Sequence, residues 1–237
     1  MKSDTIEIIP TNTCPSTLAE LAIVSESIAA YAPWVQLDVS DGSFTPVISW
    51  PYADGQWTEL ERMAARGETL PHADRLSYEA HLMVDDPVRP GELLARIGCA
   101  RIIAHRESFT DAKAVREAYA IWKSAGASEV GCALMIETPL DKIASLVSES
   151  NVVQLMSIAC LGAQGAAYDV RVLERIAALH TEYPNLCIEV DGGVSMEHIA
   201  ALVRAGARRF GVGSAIAKAD NPSIAYQKIL ARAESAI

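Results

Sequence analysis

Two aspartates and a histidine stand where apolar runs give way to glycines or loops, and these residue types suit proton transfer beside a bound anion. Ile188-Glu-Val-Asp-Gly-Gly-Val194 carries Asp191 at the end of an apolar run. Phe210-Gly-Val-Gly-Ser-Ala-Ile216 carries Gly213 and Ser214 in the same way. Both segments precede helical patterns. Backbone N–H groups at a glycine turn that opens a helix make an anion site. Gly192, Gly193, Gly213 and Ser214 are therefore a candidate phosphate cup, with tight strand-to-helix turns as the competing reading. Upstream, Trp34-Val-Gln-Leu-Asp38 puts Gln36 and Asp38 on one face of a strand, because side chains at i and i+2 point the same way. His81 and His105 end two further β-rich runs. Each of these residues alone has an ordinary alternative, an N-cap, a salt bridge or a hydrogen-bonded core position. The argument for chemistry is their recurrence at the same end of several strands.

The elements that must position them alternate along the whole chain. Strands are predicted near Ile6–Pro10, Trp34–Val39, Ser77–Met83, Arg101–His105, Glu129–Met135, Val152–Ser157, Leu186–Val190 and Arg208–Val212. Amphipathic stretches lie between them: Ser16–Ala30, Val88–Ile97, Asp111–Ala125, Leu140–Ser148, Val170–Thr181 and Met196–Ala205. Two of these run into Gly98 and Gly206, as helix ends prefer. Such alternation argues parallel β-α units. Eight units in 237 residues fit a single (β/α)8 TIM barrel spanning residues 1–237, in which chemistry sits at the C-terminal ends of the strands. An open doubly wound sheet is the competitor. Gly42–Gly55, with Pro46, Trp50, Pro51 and Tyr52, is expected to be a long loop after strand two.

Composition narrows the partners. The net charge is −10 with no basic block, which argues against nucleic acid and against an anionic membrane surface. No apolar run approaches the ~18 residues of a membrane span, and the first residues lack the blocks of a signal peptide. A cytoplasmic protein is expected. Cys14, Cys99, Cys132, Cys160 and Cys187 are scattered without a C-x-x-C, which fits reduced thiols. His72, His180 and His198 fall on loops or helices and are assigned to solvent.

The motifs Leu37-Asp-Val-Ser-Asp-Gly, Glu79-Ala-His-Leu-Met-Val, Glu189-Val-Asp-Gly-Gly-Val and Gly213-Ser-Ala-Ile resemble the signatures of ribulose-phosphate 3-epimerases, in the family's order. Pro10, Pro46 and Met156-Ser157 fall where that family has similar residues, and Thr11 stands at its strand-one serine. The resemblance implies epimerisation of a ketopentose phosphate at C3, most simply ribulose 5-phosphate to xylulose 5-phosphate. It also implies a divalent ion (Zn, Mn, Fe or Mg) held by Asp38, His81 and Asp191, with Gln36 or water completing the shell. Asp38 and Asp191 would exchange protons with the two faces of an enediolate. Thr11, His105, Met156 and the glycine cup would contact the phosphorylated sugar. A homo-oligomer is expected.

Three departures from the family stand out. Gln36 replaces a ligand histidine, which lowers the expected affinity for zinc, favours oxygen-preferring ions such as Mn²⁺ or Mg²⁺ and leaves a metal-free site open. The glycine-rich phosphate loop after strand six is broken in Ala159–Gly165, and Ser43 replaces a histidine. These changes leave open an epimerase for another ketose phosphate, such as a hexulose phosphate, and a barrel that binds a sugar phosphate without turning it over.

Overall fold

Alternation along each strand divides its side chains between two environments. In β2 (Trp34–Ser40), Val35, Leu37 and Val39 pack outward into the apolar core, while Gln36, Asp38 and Ser40 take the other face and are also buried. A strand buried on both faces belongs to a parallel sheet covered by helices. The computed structural model, which describes residues 5–159, 161 and 167–237, has that architecture. The other strands are β1 (Glu7–Asn12), β3 (Ser77–Met83), β4 (Cys99–His105), β5 (Glu129–Leu134), β6 (Val152–Met156), β7 (Cys187–Asp191) and β8 (Arg209–Val212). Each pairs in parallel with its sequence neighbours, and β1 pairs with β8 to close the barrel. The strand order is that of a TIM barrel, as expected from the sequence.

Helices α1 (Leu18–Ala29), α2 (Trp57–Arg66), α3 (Val88–Arg96), α4 (Ala112–Ala125), α5 (Val172–Glu182) and α6 (Ile199–Ala205) lie between strands, and α7 (Ser214–Ala217) and α8 (Pro222–Glu234) follow β8. Side-chain oxygens of Thr17, Asp111 and Asn221 accept from the amides of Glu20, Ala114 and Ile224, capping α1, α4 and α8. Gly98 and Gly206, with φ of 103° and 122°, follow α3 and α6 at the expected stops. Leu21, Leu60, Trp122, Ile176, Leu202 and Ile229 bury the helix faces against the outward strand residues.

One predicted helix is corrected. Leu140–Ser148 begins as a 3-10 helix over Leu140–Ile143 and continues as turns. Ala144, Leu146 and Glu149 donate to carbonyls three residues back, not four. Apolar residues at 140, 143 and 146 recur every three positions, and a 3-10 helix stacks i over i+3. Both Ile143 and Leu146 are fully buried as a result. Gly42–Gly55 is a loop as expected, with a single β-bridge between Asp41 and Ile48. It is pinned by Trp50, which is fully buried and donates from Nε1 to Glu59 at 3.1 Å.

The N-terminal end of the barrel is sealed by ions. The fully buried Arg101 pairs with Glu129 at 2.8 Å, with Glu7 at 3.3 Å and with Glu79, and its guanidinium lies 4.3 Å from the Trp34 ring centre. Arg209 reaches the same Glu129 at 2.6 Å and Glu7 at 3.1 Å. With that end plugged, the C-terminal mouth is the accessible one.

Candidate active site

Register brings the first two groups together. Asp38 on β2 pairs with His81 on β3, so neighbouring inward side chains meet at the mouth. Nδ1 of His81 lies 3.3 Å from Asp38 Oδ1. Asp191, the last residue of β7, reaches the same nitrogen at 3.6 Å. Its route passes over Gly211 on β8, where an added Cβ would stand 2.7 Å from Asp191 Oδ1 and 2.9 Å from Gln36 Oε1. Gly211 shares a strand face with Gly213, so the Phe210-Gly-Val-Gly alternation was the available sequence signal for this gap. The ligand atoms of Asp38, His81 and Asp191 all lie within 4.8 Å of one another.

The electrostatics of this trio fit a cation. Burial, and then the Asp38 charge, push the Asp191 carboxyl up to about 7, against the opposing pull of His81 and hydrogen bonds from Gln36 and the Gly192 backbone. For His81 burial acts downward, but the hydrogen bond to Asp38 and the charges of Asp38, Asp191 and Glu79 outweigh it, and the imidazole is pushed up. Both shifts reflect negative charge short of a positive partner. One imidazole nitrogen and two carboxylates are also a suitable donor set for a divalent transition metal.

The other ring nitrogen of His81 is held from behind. Nε2 of His81 lies 3.0 Å from Nε2 of His105. Burial, helped by the His81 charge, lowers His105 to about 4, so it is neutral at pH 7 and can accept there. His105 Nδ1 faces Glu107 Oε2 at 3.3 Å, an electrostatic contact rather than an aligned hydrogen bond. Glu107 is itself drawn down to about 2: burial opposes, but His105, Thr138 and the Met135 amide prevail. His105, expected on the substrate, is thus placed behind His81, fully buried and not on the wall of the open cavity. This arrangement directs His81 Nδ1 to the acids.

Gln36 is fully buried beneath the acids. Its Nε2 donates to Asp38 Oδ1 at 2.7 Å, and its Oε1 accepts from Gln154 Nε2 at 3.1 Å. The amide therefore turns nitrogen, not oxygen, toward the carboxylate.

A cavity open to solvent contains Asp38 and Asp191 in its wall together with Thr11, Met156, Gly192, Gly193, Gly213 and Ser214. Nearly all the residues singled out in the sequence are thus gathered at one mouth. Gly192 and Gly193 have φ of 94° and 65°, and a Cβ on Gly192 would stand 2.6 Å from Ile158. Ser157, the residue after β6, donates from its hydroxyl to the Gly192 carbonyl and from its amide to the Asp191 carbonyl at 2.8 Å. The Gly193 carbonyl accepts from His198 Nδ1 at 2.8 Å, and the His198 ring stacks on Tyr168 at 3.8 Å. His198 is therefore not a solvated side chain as the sequence suggested; a histidine five residues after a glycine carries no signal of that contact.

An apolar wall made by Cys14, Phe44, Met83, Met135, Met156, Ile158 and Leu161 stands beside the acids. Burial, with the charges of Asp38 and Asp191, pushes the Cys14 thiol up, so it is a protonated neighbour and not a nucleophile. Asp41, the second acid of the strand-two motif, is structural: it accepts from Ser43 at 2.9 Å and from the Asp85 amide at 2.8 Å, joining two loops. Cys160 and most of the altered Ala159–Gly165 segment lie outside the described residues. Cys14, Cys99, Cys132 and Cys187 are free thiols. No helix among the described residues is long and apolar enough to cross a membrane.

Known proteins resemble this chain in sequence and in fold. The sequence profile of the ribulose-phosphate 3 epimerase family matches residues 15–217. The ribulose-phosphate 3-epimerase of Eremothecium gossypii is 28% identical over 205 residues, covering 85% of this chain and 82% of that protein. The cytoplasmic isoform from Oryza sativa subsp. japonica is 29% identical, covering 87% and 86%. Among solved structures, 3-hexulose-6-phosphate synthase from Salmonella typhimurium superposes with a TM-score of 0.69 at 16% identity, covering 98% of this chain and all of that one, a likeness of fold. The chain therefore belongs to the ribulose-phosphate 3-epimerase family and, with it, to the isomerases.

Proposed function

We propose that the protein epimerises a ketose phosphate at C3, interconverting ribulose 5-phosphate and xylulose 5-phosphate, with Asp38 and Asp191 as the acid–base pair. The observation that carries this reading is the convergence of these two acids from β2 and β7 at one cavity; in the metal-free protein burial pushes Asp191 up to about 7. A carboxyl that holds its proton near neutrality can begin as the acid, and its partner Asp38 can begin as the base. Asp38 takes the C3 proton, and the C–H electron pair moves toward the C2 carbonyl to form the enediolate. Asp191 then delivers its proton to the opposite face of C3. The return reaction exchanges the two roles, and solvent resets the protonation states. The apolar wall keeps bulk water from protonating the intermediate at random.

Asp38, His81 and Asp191 would hold one divalent ion, with water in the remaining positions. Such an ion supplies Lewis-acid stabilisation of the developing oxyanion. His105 keeps His81 in the tautomer that turns Nδ1 to the acids. The amides around Gly192–Gly193 and Gly213–Ser214 would take the phosphate, because they line the same cavity as the acids and the chain offers no broad basic field. Thr11 and Met156, on the same wall, would border the sugar.

The test is incubation with ribulose 5-phosphate in deuterium oxide, followed by NMR. Deuterium at C3 together with xylulose 5-phosphate is expected. Absence of both would leave a barrel that binds a sugar phosphate without turning it over; exchange and epimerisation of a hexulose phosphate alone would move the substrate to a longer sugar.

A further inference from the structure

We propose that Gln154 is a positioning residue that fixes the polarity of the Gln36 amide, so that Gln36 clamps Asp38 and the metal site has three protein ligands. This inference rests on the metal-assisted reading above. β2 and β6 stand opposite each other in the eight-stranded ring, and their glutamines meet inside it beneath the acids. Gln154 is fully buried and lies on a strand whose other residues are apolar. Its nitrogen uses one N–H on Glu189 Oε1 at 2.8 Å and the other on Gln36 Oε1 at 3.1 Å. With that oxygen occupied, Gln36 turns Nε2 to Asp38 Oδ1.

Neither amide can turn over alone without loss. Reversing Gln36 sets its N–H groups against those of Gln154 and its carbonyl against the Asp38 carboxylate. Reversing Gln154 takes its N–H groups from Glu189 Oε1 and Gln36 Oε1 and sets its carbonyl oxygen, which has no partner in the observed orientation, against those two oxygens. An amide nitrogen facing the site has no lone pair for a metal ion, whereas the oxygen that has one faces away. Gln36 therefore steadies a ligand and does not act as one.

The same donor constrains a histidine at this position. A ligating imidazole gives its distal N–H to an acceptor. Here the distal nitrogen would meet the Gln154 N–H and accept from it, which leaves N–H on the side facing the acids. Gln36→His alone therefore should not make a fourth ligand.

The experiment measures zinc affinity by competition with a chromophoric chelator for four proteins: wild type, Gln36→His, Gln154→Met, and the double variant. Gln36→His alone is expected to change Kd by less than about threefold, and the double variant to bind about tenfold or more tightly than Gln36→His, the scale on which outer partners tune metal sites. Gln154→Met alone should lower kcat for ribulose 5-phosphate more than it changes KM, because Asp38 loses its clamp. A tenfold tightening by Gln36→His with Gln154 intact overturns the proposal, and so does a double variant no tighter than Gln36→His. Should Gln154→Met fail to melt cooperatively, the Gln36→His measurement decides by itself. The metal reading fails separately, if wild type binds no ion and keeps full turnover in chelator.

Discussion

Replacing Asp191 by asparagine should make the metal-free protein more stable and the enzyme inactive. Asp191 is nearly enclosed and lies beside Asp38, and its carboxyl rises from an ordinary 3.8 to about 7. Between those two values the folded protein keeps a proton that the unfolded chain has released. Stability therefore falls as pH rises from about 4 to 7, and the full penalty is present above 7. At about 1.4 kcal/mol per pH unit the ceiling is roughly 4 kcal/mol. The attraction of His81 and the hydrogen bond from Gln36 are lost with the charge, so a net gain of about 1–3 kcal/mol is the reasonable expectation. For a chain of this length that corresponds to roughly 2–10 °C in Tm. The assay is thermal unfolding by circular dichroism in EDTA at pH 8 and at pH 4. Asp191→Asn should melt higher than wild type at pH 8, and the difference should vanish toward pH 4. Added Mn²⁺ or Zn²⁺ should raise the wild-type Tm much more than the variant's. A variant that melts lower than wild type at pH 8 in EDTA would refute the view that the mouth carries uncompensated negative charge.

Asp38→Asn should reduce kcat by ~10²–10⁴-fold, the usual contribution of a general acid–base group, and a near wild-type kcat would remove Asp38 from proton transfer. Gly211→Ala places a methyl 2.7 Å from Asp191 Oδ1 and must displace the acid; an ångström-scale error in a reacting group costs about 10²-fold, so kcat should fall steeply while the KM for ribulose 5-phosphate stays within a few-fold. Chelation should abolish turnover and Mn²⁺ or Zn²⁺ should restore it, with His81→Ala binding the ion more weakly; metal content and turnover untouched by both treatments would take the ion out of the chemistry.

The fold was legible because apolar runs and helical patterns repeat with unambiguous periods. All eight strands fall within two residues of their predicted bounds. The error at Leu140–Ser148 came from reading a spacing of three as a helical spacing of three and four. α2 has no predicted bounds and α8 only a helical pattern after Ile216, although Trp57–Arg66 and Pro222–Glu234 have ordinary helical composition. Asp38, His81 and Asp191 were legible because strand alternation and motif order place them at one end of the barrel. What lies behind them was not. His105 stands out in the sequence, but its place behind His81, like those of Gln154 and Glu107, depends on contacts between strands distant in sequence, and whether a glutamine presents nitrogen or oxygen depends on the group opposite. A linear pattern carries no information on that contact.

The two ends of the barrel differ in how closely their acids are paired with cations, and this difference organises the site. At the sealed end, Arg101 and Arg209 answer Glu7, Glu79 and Glu129 at close range. At the mouth, Asp38 and Asp191 share one imidazole, and the second histidine is kept neutral by burial. Such a mouth attracts a cation and opposes an anion, on a chain whose net charge is already −10. A phosphorylated sugar cannot then be drawn in by a long-range field. It must be held by short-range donors that add no charge of their own, which is what backbone amides at a glycine turn provide. Under the proposed function, the glycines at 192, 193 and 213 and the acids at 38 and 191 would answer one requirement: C3 needs carboxylates on both faces, and the anion that anchors the sugar must be held without cationic side chains that would pair with those carboxylates.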